Sequence, residues 1–202
     1  MSPEQRESIL RRWDLTEQEL TDIVRQNPSM RGLMFGYVAE YKLRKMHFSD
    51  PVFENVHKAD DHDRSRKGDL TVTYKGREFR IECKSLQTNS IKKTEAGYEG
   101  RYQCDASDRR AIKLRGRRRV ETTCLRVGEF DIIAVNLFAF EEKWRFAFAL
   151  NADLPRSSYQ KYPPAVRRQL LATLMPVTLP LAAPYIESPI PLLERLLCRA
   201  VS

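Results

Sequence analysis

Apolar residues recur along this chain first at helical spacing, then at every second position, then in one continuous run, and last in short pieces bounded by proline. Over the first 27 residues the spacing predicts two short helices. Thr16 and Glu19 stand as a capping box ahead of Leu20, Ile23 and Val24. Pro28 breaks that pattern. Ser29 is placed to cap the next helix, whose expected stripe is Leu33, Met34, Tyr37, Val38 and Tyr41. Glu40 falls on the flank of this stripe, where a boundary glutamate with no role and a partly buried carboxylate are both open readings.

From Pro51 the period changes. Residues 51–56 read as a strand, and the polar stretch around His57, Asp60, Asp61, His62 and Asp63 reads as a solvated loop; its spacing fits no standard zinc pattern. Two alternating arms follow, 69–74 and 77–86, joined by Lys75-Gly76 as a tight hairpin. Leu70, Val72 and Tyr74 then share one face with Phe79, Ile81 and Cys83. Residues 86–129 are polar, with a helix expected around 109–114. The run 130–140 reads as a long strand, 141–143 as a turn and 144–150 as its partner. Eight of the eleven prolines lie between 155 and 191, so the last quarter should be short pieces, with helices over 165–174 and 192–197. Strands flanked by helices predict an α/β or α+β layered domain.

Composition narrows the class. At 42% hydrophobic the chain can bury a core, and no apolar stretch is long enough for a membrane helix. Four cysteines without CxxC spacing argue against a disulfide framework or zinc site, so a reducing, cytoplasmic setting is expected. The net charge of +8 matters because it is uneven: Arg109, Arg110, Lys113, Arg115, Arg117, Arg118 and Arg119 are basic with no acid among them, and Lys92 and Lys93 lie upstream. Such a run is either a solvated face or the footprint of a polyanion, of which nucleic acid is the first choice. Tyr98 and Tyr102 beside it read equally as core, surface or stacking residues.

With Lys75-Gly76 as the loop, Tyr74 faces Arg77, Val72 faces Phe79, and Asp69 faces Glu82. Lys84 shares the face of Glu82. Opposed carboxylates repel unless a cation joins them. Asp, Glu and Lys on one sheet face suit Mg²⁺, which takes carboxylate, water and phosphate oxygens. The same three residues, with Glu78 and Arg80, also describe an ordinary solvated strand face.

Asp69, twelve intervening residues, then Glu82-Cys83-Lys84 resembles the PD-(D/E)xK nuclease superfamily, and residues 30–150 can be aligned with its core. Gly68 stands where that motif often has proline. The resemblance implies an α/β, restriction-endonuclease-like core: a central mixed β-sheet flanked by helices. It implies Asp69 and Glu82 as metal ligands, Lys84 as the catalytic lysine, Glu40 as the extra acid of the first core helix, and a helpful polar residue at Gln87. On this view 1–202 is one nuclease domain, with a helical extension over 1–28, a catalytic core over 29–150 and a proline-rich helical segment over 151–202. The implied activity is Mg²⁺-dependent cleavage of double-stranded DNA, most like a type II restriction endonuclease, a homodimer accompanied by a cognate DNA methyltransferase. The basic residues from Lys92 to Arg119 are the expected DNA contacts. A Holliday-junction resolvase, a repair nuclease, and an inactive DNA-binding protein of the same fold remain alternatives.

Overall fold

The structure, a computed structural model, describes residues 8–58, 68–114 and 119–199. The expected loop residues Asp60, Asp61, His62 and Asp63, and the expected DNA contacts Arg115, Arg117 and Arg118, lie outside them. The chain divides into two compact units, Met1–Val38 and Ala39–Ser202.

The first unit holds α1 (Ile9–Arg12), α2 (Glu17–Gln26) and the start of α3 (Pro28–His47). The capping box forms as expected: the Glu19 N–H donates to Thr16 Oγ1 at 3.2 Å, and the Thr16 N–H donates to Glu19 Oε2 at 2.8 Å. Pro28 opens α3 instead of breaking the pattern, because the first helical position needs no N–H. Leu33, Met34, Tyr37 and Val38 are exposed.

In the second unit the remainder of α3 buries Ala39 and Leu43, one turn apart, and leaves Tyr41 exposed. The helix therefore turns a different face inward from the expected stripe: small Ala39 lets the backbone approach, and Leu43 enters the core. Five strands form the main sheet in the order β1 (Phe53–Lys58), β2 (Leu70–Tyr74), β3 (Arg77–Ser85), β8 (Ile132–Asn136) and β9 (Phe146–Leu150). Pairing is antiparallel except between β3 and β8, so the sheet is mixed. The β2–β3 turn is the expected one. Lys75 (φ 49°) and Gly76 (φ 74°) are both left-handed, which matches the twist of a two-residue hairpin.

Side chains alternate across this sheet. Leu70, Val72, Phe79, Ile81, Ile132 and Phe148 pack with Leu43 and with Leu192 and Leu193 of α6 (Ile190–Arg199). Ile133, Val135, Ala147 and Ala149 face the other way. There they meet Tyr102 of β5 (Gly97–Gln103) and Met175 and Val177 of β10 (Leu174–Leu179). Helices thus cover one face. The other is covered by a second sheet, β10-β5-β4, with β4 at Lys92–Thr94. Tyr102 is a core residue, its hydroxyl 2.8 Å from that of Tyr185, and Tyr98 stacks on Phe140 at 5.6 Å.

Three expectations change. Residues 109–114 are not helical. They belong to β6 (Asp105–Lys113), which pairs with β7 (Arg119–Cys124) as a two-stranded ribbon. The alternation of Arg110, Ile112 and Leu114 with Arg109, Ala111 and Lys113 is a strand period that the charge density hides. The apolar run after Phe130 ends as a strand at Asn136, whose Oδ1 accepts the Phe138 N–H and starts a helical turn, α4 (Phe138–Glu141). Residues 165–174 yield only α5 (Pro164–Arg167); Leu170 and Leu171 then bury in extended contacts with Arg126 and Arg156.

Arg110 is held by Glu129, which is only 4% exposed: both guanidinium Nη atoms donate to its carboxylate, and Glu129 Oε2 also accepts the Arg126 N–H at 2.8 Å. Removing one partner leaves a buried charge uncompensated. Glu129→Ala should lower the free energy of unfolding by about 3–5 kcal/mol in urea titrations. A loss below about 1 kcal/mol would place the pair among weak surface contacts.

Candidate active site

β3 is hydrogen-bonded on both sides, to β2 and to β8, and so lies at the centre of the main sheet. Its residues Glu82 and Lys84 stand opposite Ile133 and Val135 of β8. Those neighbours point into the packed layer between the sheets, and period two carries Glu82 and Lys84 to the same side. Glu82 is consequently buried, at 8% exposure. Lys84 Nζ lies 2.8 Å from Glu82 Oε1. This is not the solvated strand face that composition also allowed.

The hairpin register holds from Tyr74–Arg77 to Leu70–Ile81, as expected. At Asp69 it departs from the ladder. The Asp69 N–H donates to Ile81 O at 2.9 Å, and Asp69 Oδ2 accepts the Cys83 N–H at 2.7 Å. Asp69 therefore meets β3 through the backbone of Cys83, beside Glu82 rather than as its ladder partner. Gly68 makes this possible. Its φ is +88°, and a Cβ there would lie 3.1 Å from Ile81 O, so the chain enters β2 against the backbone of β3.

Glu40, on α3 within the second unit, pairs with Lys58 of β1 at 3.3 Å and is close enough to Asp69 to raise its pKa. Four of the expected site residues therefore share one electrostatic neighbourhood. Lys58 joins them. Nothing in the sequence marked it, since the link from β1 to α3 is tertiary.

Burial dominates the protonation of this group. It raises the pKa of Asp69, with Glu40 adding to the effect and Lys84 and the Cys83 N–H opposing it. It pushes Glu82 up to about 7 although Lys84 pulls the other way, and the charge of Asp69 adds to the rise. Burial alone would lower Lys84, but Glu82 and Asp69 more than offset it, so its pKa is raised and the side chain stays an ammonium. Burial also raises the Cys83 thiol well above its ordinary range and Cys104 to about 12, so neither is a nucleophile at neutral pH.

The donor set suits a hard divalent cation. Glu82 presents a buried carboxylate and Asp69 a half-buried one, and their raised pKa values record the cost of holding negative charge there, a cost that a dication would remove. Among the described residues no three His, Cys, Asp or Glu side chains gather into a metal cage. Mg²⁺ does not need one, being bound through one or two carboxylates with waters and phosphate oxygens completing the shell.

The other expected contacts are dispersed. Lys92 and Lys93 are exposed on β4, Lys93 lying 6.0 Å from the Tyr98 ring. Arg109, Lys113 and Arg119 are exposed on the β6–β7 ribbon, whereas Arg110 is engaged by Glu129. Gln87 donates through Nε2 to Gln103 at 3.1 Å. Asp131 accepts the Arg80 N–H at 2.8 Å and ties the start of β8 to β3.

The chain matches no protein-family model and no curated protein. Among solved structures it is similar to a bacterial homing endonuclease, I-Ssp6803I, at 22% identity over 72% of this chain and 82% of that one, with a TM-score of 0.29. Nothing about fold or chemistry follows from so loose a superposition.

The Glu82 carboxyl should take up a proton near pH 7. Because its folded pKa lies above the unfolded value near 4.5, its contribution to stability is complete below about pH 4.5 and is lost as pH rises through about 7. Carboxyl-labelled glutamate followed by NMR, with Glu82→Gln assigning the resonance, should give a metal-free midpoint near 7. A midpoint at or below 4.5 would contradict the burial account.

Proposed function

We propose that this chain is a divalent-cation-dependent nuclease of the PD-(D/E)xK type that hydrolyses DNA phosphodiester bonds. The observation behind the proposal is the grouping of buried Glu82 with half-buried Asp69 and Lys84 at the centre of a mixed sheet. An ordinary surface strand gains nothing from two carboxylates with raised pKa values beside an interior ammonium, whereas a phosphoryl-transfer site needs that combination.

In this reading Asp69 and Glu82 would hold Mg²⁺, with Glu40 contributing through a water. The bound cation would supply Lewis acidity toward the phosphate and a more acidic water. The Cys83 N–H holds Asp69 in orientation. Lys84 is fully protonated, so it is no proton acceptor; it positions the attacking water and neutralises charge growing on the non-bridging oxygens. In-line attack of water on phosphorus breaks the P–O3′ bond and leaves 5′-phosphate and 3′-hydroxyl ends. Since Glu82 must be ionised to bind a cation, protons compete with it, and the Mg²⁺ concentration needed for cleavage should rise as pH drops below about 7.

The finer reading is a type II restriction-like endonuclease cutting both strands as a homodimer, with a methyltransferase protecting the host sites. The surplus of basic residues supports DNA as the polyanion. Sequencing the ends made in one large defined DNA separates this reading from its alternatives. Fixed end sequences support restriction, ends at four-way junctions support resolution, and ragged ends support repair.

Plasmid nicking with Mg²⁺ is the direct test of activity. Asp69→Asn and Lys84→Ala should stay folded, as judged by their melting curves, and lose cleavage by at least about 10²-fold, the scale of removing one transition-state contact. Lys84→Ala should keep nearly all DNA affinity, because one ammonium is a small part of a many-contact interface. Wild-type single-turnover rates in either variant would reject the proposal.

A further inference from the structure

The β6–β7 ribbon has two unlike faces. On the inner face Ile112 and Cys124, followed by Leu114, are buried against Val166 and Leu170, with Val120 packed alongside. Arg110, on the same side, is spent on Glu129. On the outer face Lys113 stands directly across from Arg119 and Glu121 stands across from Ala111, and all three charged side chains are exposed. Arg109 extends that face away from the ribbon tip, in strand period with Ala111 and Lys113.

Like charges in direct cross-strand opposition destabilise a ribbon. Here Glu121, two residues from Arg119 on the same face, offsets one of the three cations Arg109, Lys113 and Arg119, and a bound anion would offset the remainder.

The outer face runs through Arg109 into a groove of about 400 Å³ that includes none of Asp69, Glu82 or Lys84. Thr123, Ser157, Ser158, Tyr159, Tyr162 and Thr173 line it with hydroxyls. Among the described residues that line it, Arg109 carries the charge and no side chain is acidic. Tyr159 is half exposed, its ring set edge-on to that of Tyr162 at 5.0 Å, and the Tyr162 hydroxyl is directed to Glu121 O at 3.4 Å. Clustered hydroxyl donors beside two arginines and a lysine, which outnumber the single Glu121 on the ribbon face, are the chemistry that holds phosphodiester oxygens.

From this juxtaposition we infer that the outer face of the β6–β7 ribbon and the adjoining hydroxyl-lined groove form a track for one strand of a DNA duplex, gripped by its phosphates. Lys113, Arg119 and Arg109 hold successive phosphates, and Thr123, Ser158 and Tyr159 donate to phosphate oxygens within the groove. Arg110 is a positioning residue that fixes the ribbon to the body. The inference deepens the nuclease reading by naming where substrate is held, and it rests on that reading only for the choice of DNA.

The test is metal-free binding, which needs no cleavage. A fluorescein-labelled 30-base-pair duplex of random sequence is titrated in EDTA across a salt series, with a single strand of the same length as a second arm. Arg109→Ala, Lys113→Ala and Arg119→Ala should each weaken duplex binding roughly three- to tenfold and reduce the salt slope by about one. Tyr159→Phe should weaken binding about twofold with the slope unchanged. Lys143→Ala, an exposed lysine off the track, should match wild type. Melting curves establish that each variant is folded.

Wild-type affinity and slope in all three ribbon variants would overturn the inference, as would an equal loss in Lys143→Ala, tighter binding of the single strand, or no duplex binding by the wild type. The nuclease reading fails separately. A protein that binds through the ribbon but never cleaves keeps the track and loses the enzyme, whereas one that cleaves with unaltered ribbon variants keeps the enzyme and loses the track.

Discussion

Glu82 and Lys84 form an ion pair inside a sheet that the rest of the fold closes over. The pair sits on the interior side of β3, between Ile133 and Val135 on β8 and the layer that holds Tyr102 and Met175. Desolvating two charges is expensive, and their attraction repays it only with good geometry and further hydrogen bonds. The 2.8 Å contact meets the first requirement, yet the pKa of Glu82 still rises, so burial outweighs the lysine. A fold concerned with stability alone could place apolar residues of similar volume there at no loss. Keeping the charges, with Asp69 within electrostatic reach of both, fits the proposed site for a cation and a phosphate.

The surrounding architecture follows from holding that group in place. The parallel β3–β8 pairing puts β3 inside the sheet, where its residues are fixed by ladders on both sides. Asp131 and Asp69 each accept a backbone N–H of β3, from Arg80 and from Cys83, so carboxylates brace the strand on either flank. The close approach at Gly68 brings Asp69 to that position. Glu129, also within electrostatic reach of Glu82, is neutralised by Arg110. The ribbon thereby supplies a counter-charge to the interior as well as a basic outer surface.

Much of the centre was legible in the sequence. Lys75-Gly76 announces a two-residue hairpin because Gly76 accepts positive φ without a steric penalty, and the alternation of Leu70, Val72, Phe79 and Ile81 fixes which face is apolar. The grouping of Glu82 and Lys84 follows from that register. What the register does not carry is the break at Asp69, which depends on the conformation of Gly68. The ribbon was misread as helix because charged residues fill both faces of β6, and only its partner strand shows that Ile112 and Leu114 point inward. Arg110 looked like its neighbours because its partner is nineteen positions away. The stripe at Leu33, Met34, Tyr37 and Val38 had good helical period. The residues of α3 that bury are Ala39 and Leu43, a pair too small a signal to pick out by apolarity alone.

The central claim is that Asp69 and Glu82 are built to share one divalent cation. Crystals soaked in Mn²⁺ at pH 8, with diffraction collected at the manganese absorption edge, test it most directly. The account predicts one anomalous peak within about 2.1 Å of a carboxylate oxygen of each residue, absent from Glu82→Gln crystals treated in the same way. Strong peaks elsewhere, with the Glu82 carboxylate still bound to Lys84 and no density beside Asp69, would contradict it.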